Sequence, residues 1–192
     1  MSNPTGYSVT SYGDMITCEP RMPAYAEALR RAITPGCTVI DIGAGTGIFS
    51  LLACQYGAGA VTAIEPADAV LLLNDTALAN GFAEKINIVQ GLSTEHVPGR
   101  KADVIVSDIR GVMPLFEHHI ATIVDARERL LAPGGTLIPM RDTLRAALVQ
   151  HPDGYQSCEA PWLRNRYALD LRAGHRHAVN TWNKVSLQPE QL

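Results

Sequence analysis

Short apolar runs alternate with longer stretches of helical spacing along this chain of 192 residues. A continuous apolar run of about five residues is typical of a strand buried on both faces of a parallel sheet. The alternation predicts an α/β fold with a doubly wound parallel sheet and right-handed crossovers. The predicted strands are residues 38–42, 60–64, 86–89, 103–106 and 136–138, and the predicted helices are residues 23–33, 47–56, 67–79 and 120–131.

The two ends of the chain depart from this alternation. Residues 1–22 are polar, and we expect irregular structure there, before the helix that begins at residue 23. Beyond residue 143, the spacing of Leu144 and Leu148 predicts a strand, residues 152–154 predict a turn, and the remainder has no clear helical pattern. Because the chain ends without a capping feature, we expect it to stop inside a second domain.

A glycine-rich segment joins the first predicted strand to the helix that follows it. Gly43, Gly45 and Gly47 lie in this segment, and Asp41 precedes the first glycine by two residues. Glycines let the backbone turn sharply and approach a ligand closely, where any Cβ would collide. Glu65 closes the next apolar run, and a carboxylate at the tip of the second strand is placed to hold a ribose diol. The pairing predicts a site for a nucleoside-like ligand.

The spacing of the glycines discriminates between cofactors. A dinucleotide fold expects G-x-G-x-x-G with the pyrophosphate at the helix N-terminus, but here Ile48 follows the third glycine. Asp41 would repel a phosphate, whereas it suits a cationic amino group. S-adenosylmethionine has an ammonium, a sulfonium and a ribose but no phosphate, so we expect this cofactor and its product, S-adenosylhomocysteine. A glycine turn without a ligand and a nicotinamide-dependent oxidoreductase remain as alternatives.

Other polar residues also fall at the ends of predicted strands. Ser93 and Thr94 come shortly after the third strand, and Asp108 follows the fourth. Ligands of doubly wound sheets bind outside the carboxyl ends of the strands, where the glycine segment and Glu65 also lie. This convergence is the strongest internal support for a binding site.

Composition and charge narrow the classes of partner. The net charge is −3 and no lysine or arginine run is present, so nothing favours a nucleic acid. The six histidines lack the spacing of a metal site, and we expect surface histidines and no metal. The four cysteines are scattered without a C-x-x-C, which predicts reduced thiols in a cytoplasmic protein. No apolar signal region or membrane-spanning stretch is visible.

The pattern D-x-G-x-G-x-G with a later acidic residue resembles the Rossmann-like methyltransferases. Among these, the chain resembles the protein arginine methyltransferases along nearly its whole length. Tyr12, Met15, Arg21 and Tyr25 match the pre-core motif of that family. The resemblance implies that Met15 packs on the cofactor and that Arg21 pairs with the cofactor's carboxylate. An arginine can do this through two parallel hydrogen bonds.

The same resemblance assigns roles to the strand ends. It implies that residues 41–47 bind the methionine end of the cofactor and that Glu65 binds the ribose. Ser93 and Thr94 lie where the family lines the adenine, although the family often has a glutamate in place of Thr94.

The loop after the fourth strand resembles the family's double-glutamate loop. The two acids, which would clamp an acceptor and are the candidate catalytic residues, are Asp108 and Glu117 here. Asp108 is one methylene shorter than the family's glutamate, Arg110 lies between the two acids, and Cys18 replaces an acid of the pre-core motif. A cation this close would repel a guanidinium by a few kcal/mol at an effective dielectric of about 20, or would neutralise one of the acids. These departures argue against arginine as the acceptor, and Arg110 hints at an acceptor that carries an acid.

The C-terminal part resembles the opening of the family's β-barrel at residues 162–170. The later barrel strands, the Thr-His-Trp loop and the dimerisation arm are not found in this sequence. We therefore predict an N-terminal cofactor-covering segment (1–35), a Rossmann-like S-adenosylmethionine-binding domain (36–140) and a partial β-barrel-like region (141–192). For the full-length protein, the resemblance raises the option of a homodimer.

The sequence as a whole predicts an S-adenosylmethionine-dependent methyltransferase. Its acceptor would be a nitrogen or an oxygen on an unidentified small molecule or protein. A true protein arginine N-methyltransferase and a non-catalytic cofactor-binding protein are the alternatives.

Overall fold

The computed structural model describes residues 7–111, 118–164 and 167–181. The chain divides into two compact units, residues 1–142 and residues 143–192. The first unit is built on a five-stranded parallel sheet with helices between its strands, as the sequence predicted. Its strands are β1 (Thr38–Ile42), β2 (Ala60–Glu65), β3 (Ile86–Gln90), β4 (Ala102–Ser107) and β5 (Leu131–Ile138), and its helices are α1 (Val9–Ile16), α2 (Met22–Ala32), α3 (Ile48–Gln55), α4 (Ala69–Ala79) and α5 (His119–Asp125).

The order of the strands places the ligand crevice. The sheet runs β3-β2-β1-β4-β5, so the chain leaves β1 towards one side and later returns to pair β4 with the other side of β1. Asp41 of β1 lies opposite Ala63 of β2 and Val106 of β4 in the parallel ladders. In such a sheet, ligands bind outside the carboxyl ends of the strands at the point where the order reverses. The end of β1 occupies that point here.

Both faces of the sheet are covered, which explains the continuous apolar runs in the sequence. Alternate side chains of a strand point to opposite faces, so Val39 and Ile40 of β1 enter different cores. One core includes Leu29 of α2 and Leu73 of α4, and both side chains are fully buried. The other core includes Leu130, which follows α5.

The N-terminal segment differs from the sequence prediction. Residues 9–16 form helix α1, whereas the polar composition of residues 1–22 predicted irregular structure. The side chain of Ser8 caps this helix by accepting a hydrogen bond from the backbone N–H of Ser11 at 3.1 Å. A serine at the N-cap satisfies a backbone donor that the helix leaves free, and the sequence reading overlooked this signal.

The connection between α5 and β5 is also less regular than predicted. The predicted helix at residues 120–131 is α5 followed by one π-helical turn, Ala126–Leu130. Residues 133–135, which precede the predicted strand at residues 136–138, lie within β5, where residues 131–136 pair with only residues 102–104 of β4. The extra residues bulge out of the ladder, as Pro and Gly in a strand commonly do.

The second unit corrects the prediction of a partial β region. Its described residues form helices α6 (Pro152–Leu163) and α7 (Arg172–Ala178), and residues 141–151 form neither helix nor strand. Pro152 occupies the first turn of α6 together with Asp153. Proline suits this position because it needs no N–H there, and an acid is favourable beside the helix N-terminus. The turn signal at residues 152–154 was therefore a helix start.

The two leucines of α4 provide a matched test of the first core. Leu73 is fully buried and Leu71 is 69% exposed on the same helix. We expect Leu73→Ala to lower the free energy of unfolding by about 2–5 kcal/mol because it leaves a cavity, and Leu71→Ala to change it by about 0.5 kcal/mol or less. Urea denaturation measures both values. Equal losses in the two variants would contradict the described packing of α4.

Candidate functional site

The glycine segment forms a tight loop between β1 and α3. Gly43, Gly45 and Gly47 have φ values of 72°, 54° and 86°, a region that residues with a Cβ rarely adopt. A Cβ on Gly45 would lie 2.6 Å from the Tyr12 ring, and one on Gly43 would overlap the Ile109 side chain. The loop therefore requires glycine for its conformation and for the side chains that lie against it.

Glu65 ties this loop to the end of β2. Its carboxylate is 7% exposed and accepts hydrogen bonds from two backbone N–H groups. Oε2 accepts from Gly45 at 2.9 Å, and Oε1 accepts from Ala67 at 2.8 Å. A carboxylate oxygen has two lone pairs, so each oxygen keeps one for a further donor. The group is thus fixed in place and can still bind a pair of hydroxyls.

Asp41 is a fully buried carboxyl group at the end of β1. Its Oδ2 accepts a hydrogen bond from the Ser50 hydroxyl at 2.7 Å, and its Oδ1 has no hydrogen-bond partner among the described residues. Burial, with a smaller effect from the nearby carboxylates of Glu65 and Asp108 and against the opposing effect of Ser50, raises the pKa of Asp41 from 3.8 to about 7. A cation placed here would reverse this shift.

Asp108, directly after β4, is the centre of a second cluster. It forms a close ion pair with Arg21 through Oδ2, and its Oδ1 accepts a hydrogen bond from the Tyr25 hydroxyl at 3.0 Å. Arg21 also donates to the backbone carbonyl of Met15. The Tyr25 ring stacks on Phe49 with 4.6 Å between centroids. Burial and then Asp108 raise the pKa of Tyr25, so its hydroxyl keeps its proton and remains a donor.

Arg110 extends this cluster to Asp142 and His119. Its guanidinium donates to the Tyr25 oxygen at 3.0 Å and forms a close ion pair with Asp142, and its Nε lies 3.8 Å from Oδ1 of Asp108. The Nε2 atom of His119 lies 3.9 Å from Oδ2 of Asp142. Its burial corrects the prediction that all histidines lie at the surface. Because burial lowers the pKa of His119, the imidazole is held in its neutral form.

The other predicted site residues are Ser93, Thr94 and Glu117. Ser93 is buried, but its carbonyl accepts from Arg129 at 2.9 Å, and Thr94 is exposed. Glu117 lies outside the described residues. Among residues 7–111, 118–164 and 167–181, no cluster of three His, Cys, Asp or Glu side chains could hold a metal. None of the helices in those ranges has the length and apolar character of a membrane crossing.

The glycine loop, Glu65 and Asp41 form a first cluster, and its chemistry fits S-adenosylmethionine. The glycine loop gives close backbone access and Glu65 keeps two acceptor sites for a ribose diol. Asp41 has a buried oxygen that no described residue donates to. A diphosphate would bring two or more negative charges towards these acids. These acceptor groups therefore favour a ligand with a ribose and a cationic amino group.

Comparison with known proteins agrees with this choice of cofactor. Residues 25–140 match the family model described as ribosomal protein L11 methyltransferase (PrmA). The chain belongs to the PrmA methyltransferase family. It is thereby placed among the class I S-adenosylmethionine-dependent methyltransferases, as the sequence predicted.

The chain also resembles protein arginine methyltransferases in sequence. It is 34% identical over 162 residues to the "Probable protein arginine N-methyltransferase 6" of Arabidopsis thaliana, covering 83% of the chain and 37% of that protein. It is 30% identical over 161 residues to the "Protein arginine N-methyltransferase 1" of Dictyostelium discoideum, covering 82% of the chain and 47% of that protein. The chain thus spans less than half the length of these two relatives.

Solved structures show the same fold. The Trypanosoma brucei PRMT1 enzyme–prozyme heterotetrameric complex with AdoHcy matches with a TM-score of 0.85 and 24% identity, over 94% of this chain and 57% of that one. Arabidopsis thaliana protein arginine methyltransferase 10, in an open conformation, matches with a TM-score of 0.75 and 22% identity, over 96% and 59%. The Rossmann-like methyltransferase fold is confirmed.

The second cluster contains residues that the sequence did not predict. Asp142 and His119 were not candidates, although Asp142 follows β5 by four residues and the carboxyl-end rule applies to that strand too. Ser50 was also missed. It lies on the first helix after the glycine loop, nine residues from Asp41, and nothing in a single sequence marks that pairing.

The raised pKa of Asp41 predicts a pH dependence of stability. The native carboxyl group binds a proton more tightly than the unfolded one, so its stabilising contribution is complete below pH 4 and is lost as the pH rises to about 7. The loss is on the order of 4 kcal/mol. Asp41→Asn has no carboxyl group at this position and lacks this loss. Between pH 4 and pH 8, the free energy of unfolding of the variant should therefore rise relative to that of the unmodified protein. Parallel curves from urea denaturation would contradict the assignment.

Proposed function

We propose that this chain binds S-adenosylmethionine at the glycine loop and that the protein transfers its methyl group to a nitrogen or oxygen acceptor. The observation that carries the proposal is the Glu65 carboxylate, fixed by two backbone N–H groups at the tip of β2 and beside Gly45. Its two free lone pairs suit the two hydroxyls of a ribose. Family membership supports the same cofactor, as does the AdoHcy bound in the Trypanosoma brucei complex that shares the fold.

The methionine end of the cofactor would lie between the two clusters. Asp41 offers its buried Oδ1 to the ammonium, directly or through a water. Arg21, held by Asp108 and by the Met15 carbonyl, would receive the carboxylate. A guanidinium has five N–H donors, so Arg21 can keep these contacts and still bind a carboxylate. Ser93 and Thr94 stay proposed for the adenine, and Met15 for packing against the cofactor.

The protein's contribution to the reaction would be geometric. The bound cofactor supplies a methyl group that is already activated for in-line displacement. The chain's residues hold the acceptor in line with it, and well-oriented reactants gain roughly 7–11 kcal/mol from position alone. Asp108 accepts a hydrogen bond from Tyr25 and pairs with Arg21, and we propose that it orients the acceptor or takes its proton. Glu117 is proposed for the same role from the resemblance.

A protein arginine N-methyltransferase is the second candidate, because the sequence relatives carry that name. Against it, the carboxylate of Asp108 is already paired with Arg21 and lies near Arg110. Incubation of the full-length protein with labelled cofactor and an arginine-rich peptide distinguishes the two candidates. Label on this peptide, but not on one with lysine for arginine, would establish the second candidate.

Two features of the whole protein are also proposed. The cysteines Cys18, Cys37 and Cys54 are thiols in the structure, which supports a cytoplasmic location. A homodimer of the full-length protein is supported by the resemblance, and the related Trypanosoma brucei protein forms a heterotetrameric complex.

Removal of the Glu65 charge tests the cofactor site. In Glu65→Gln, one of the two backbone donors would face the side-chain NH₂ group, and the ribose would lose an anionic acceptor. We expect S-adenosylhomocysteine to bind the unmodified chain and to bind Glu65→Gln at least tenfold more weakly, a loss of about 1.4 kcal/mol. Isothermal titration calorimetry measures both affinities, and we expect no binding of NADH.

Glu84→Gln is the matched control, because Glu84 is exposed beyond the end of α4 and contacts neither cluster. Its affinity should equal that of the unmodified chain. An equal affinity of Glu65→Gln, with an unchanged circular dichroism spectrum, would remove the main support for the proposed site.

A further inference from the structure

The guanidinium of Arg110 lies among acceptor groups that suit it. Three acceptor groups from separate parts of the chain surround it: the carboxylates of Asp108 and Asp142 and the hydroxyl oxygen of Tyr25. The Arg110 side chain is only 27% exposed, and those of the two acids are 17% and 28% exposed. A planar fork of N–H donors matches such a set, whereas an ammonium is a point charge.

The charges of this cluster are balanced. The cations Arg21 and Arg110 face the anions Asp108 and Asp142, and the neutral His119 adds no charge. The charge of Arg110 is therefore already paired. Its presence gives no support to the sequence-based expectation of an acceptor that carries an acid. Equally, within the described residues, the charges of Asp108 and Asp142 are already paired with those of Arg21 and Arg110 and are not available to an incoming guanidinium.

We infer that Arg110 is a specificity-determining residue: its own guanidinium occupies a guanidinium-binding pocket formed by Asp108, Asp142 and Tyr25, and thereby excludes arginine side chains as acceptors. An arriving guanidinium would meet a like charge in the place that its acceptors surround. The pocket itself is independent of the cofactor, but its meaning for acceptor choice rests on the proposed methyl transfer.

The inference predicts what removal of the side chain does. Arg110→Ala would leave Asp142 without its guanidinium partner and the Tyr25 oxygen without its donor. Partly buried groups that lose their partners destabilise the protein, and a small ligand that replaces the missing group restores the interaction. The vacant space and the three acceptors would then favour guanidinium compounds over simple amines.

Chemical rescue of Arg110→Ala by methylguanidinium tests this. We expect methylguanidinium, at millimolar concentrations well below denaturing ones, to raise the midpoint of thermal unfolding of Arg110→Ala and to bind it at least tenfold more tightly than it binds the unmodified chain. Methylammonium should not reproduce the effect. Arg30→Ala is the control, since Arg30 pairs with Glu27 on the exposed side of α2 and leaves no enclosed space.

Titration with S-adenosylhomocysteine separates this inference from the proposed function. If Arg110→Ala binds S-adenosylhomocysteine as the unmodified chain does but shows no preference for methylguanidinium, the inference is overturned while the cofactor site stands. If neither protein binds S-adenosylhomocysteine, the proposed function fails and the rescue result still decides on the pocket. Should Arg110→Ala not fold, Arg110→Gln removes the fork with a longer side chain and is judged by the same readout.

Acceptor choice gives the second readout. In the full-length protein, Arg110→Ala should transfer label to an arginine-rich peptide that the unmodified protein leaves unlabelled. Labelling of that peptide by the unmodified protein would overturn the inference directly.

Discussion

The hydrogen bonds that Glu65 accepts from Gly45 and Ala67 are the contacts on which the site depends. They fasten a loop that only glycines can form to the tip of the neighbouring strand. Without them, the loop and the carboxylate would be two separate features at one edge of a sheet. With them, a close backbone approach and an anionic acceptor pair are held at a fixed separation, as a ribose requires.

The parallel sheet then brings a second group of charges to the same edge. Asp41 is buried, and one of its oxygens has no donor in the part of the chain that the structure describes. Asp108, by contrast, lies among Arg21, Tyr25 and Arg110. The two acids therefore have opposite environments, although they lie at the ends of adjacent strands. The first is prepared for a cation from outside, and the second has its cations supplied by the chain. This difference separates the proposed cofactor side of the crevice from the proposed acceptor side.

Local signals in the sequence predicted the sheet and the first cluster. The glycine spacing and Glu65 lie within 25 residues, so their meeting follows from one strand–helix–strand unit. The pairing of Arg21 with Asp108 spans 87 residues and depends on how the N-terminal helices pack, which no local pattern contains. The prediction that His119 lies at the surface was wrong for the same reason. In the second unit, a proline and an acid that begin α6 were taken for a turn, because both signals use the same residue types.

The central claim is that Asp41 and Glu65 together hold the amino and ribose ends of S-adenosylmethionine. The most direct test is calorimetric titration of the chain with S-adenosylhomocysteine at pH 6.5, in two buffers of different ionisation enthalpy. Because the pKa of Asp41 is raised to about 7, much of this carboxyl group is protonated there, and an arriving ammonium should displace that proton. The account predicts binding with release of up to one proton, a release that disappears in Asp41→Asn. Binding with no proton released, or no binding by the folded chain, would contradict it.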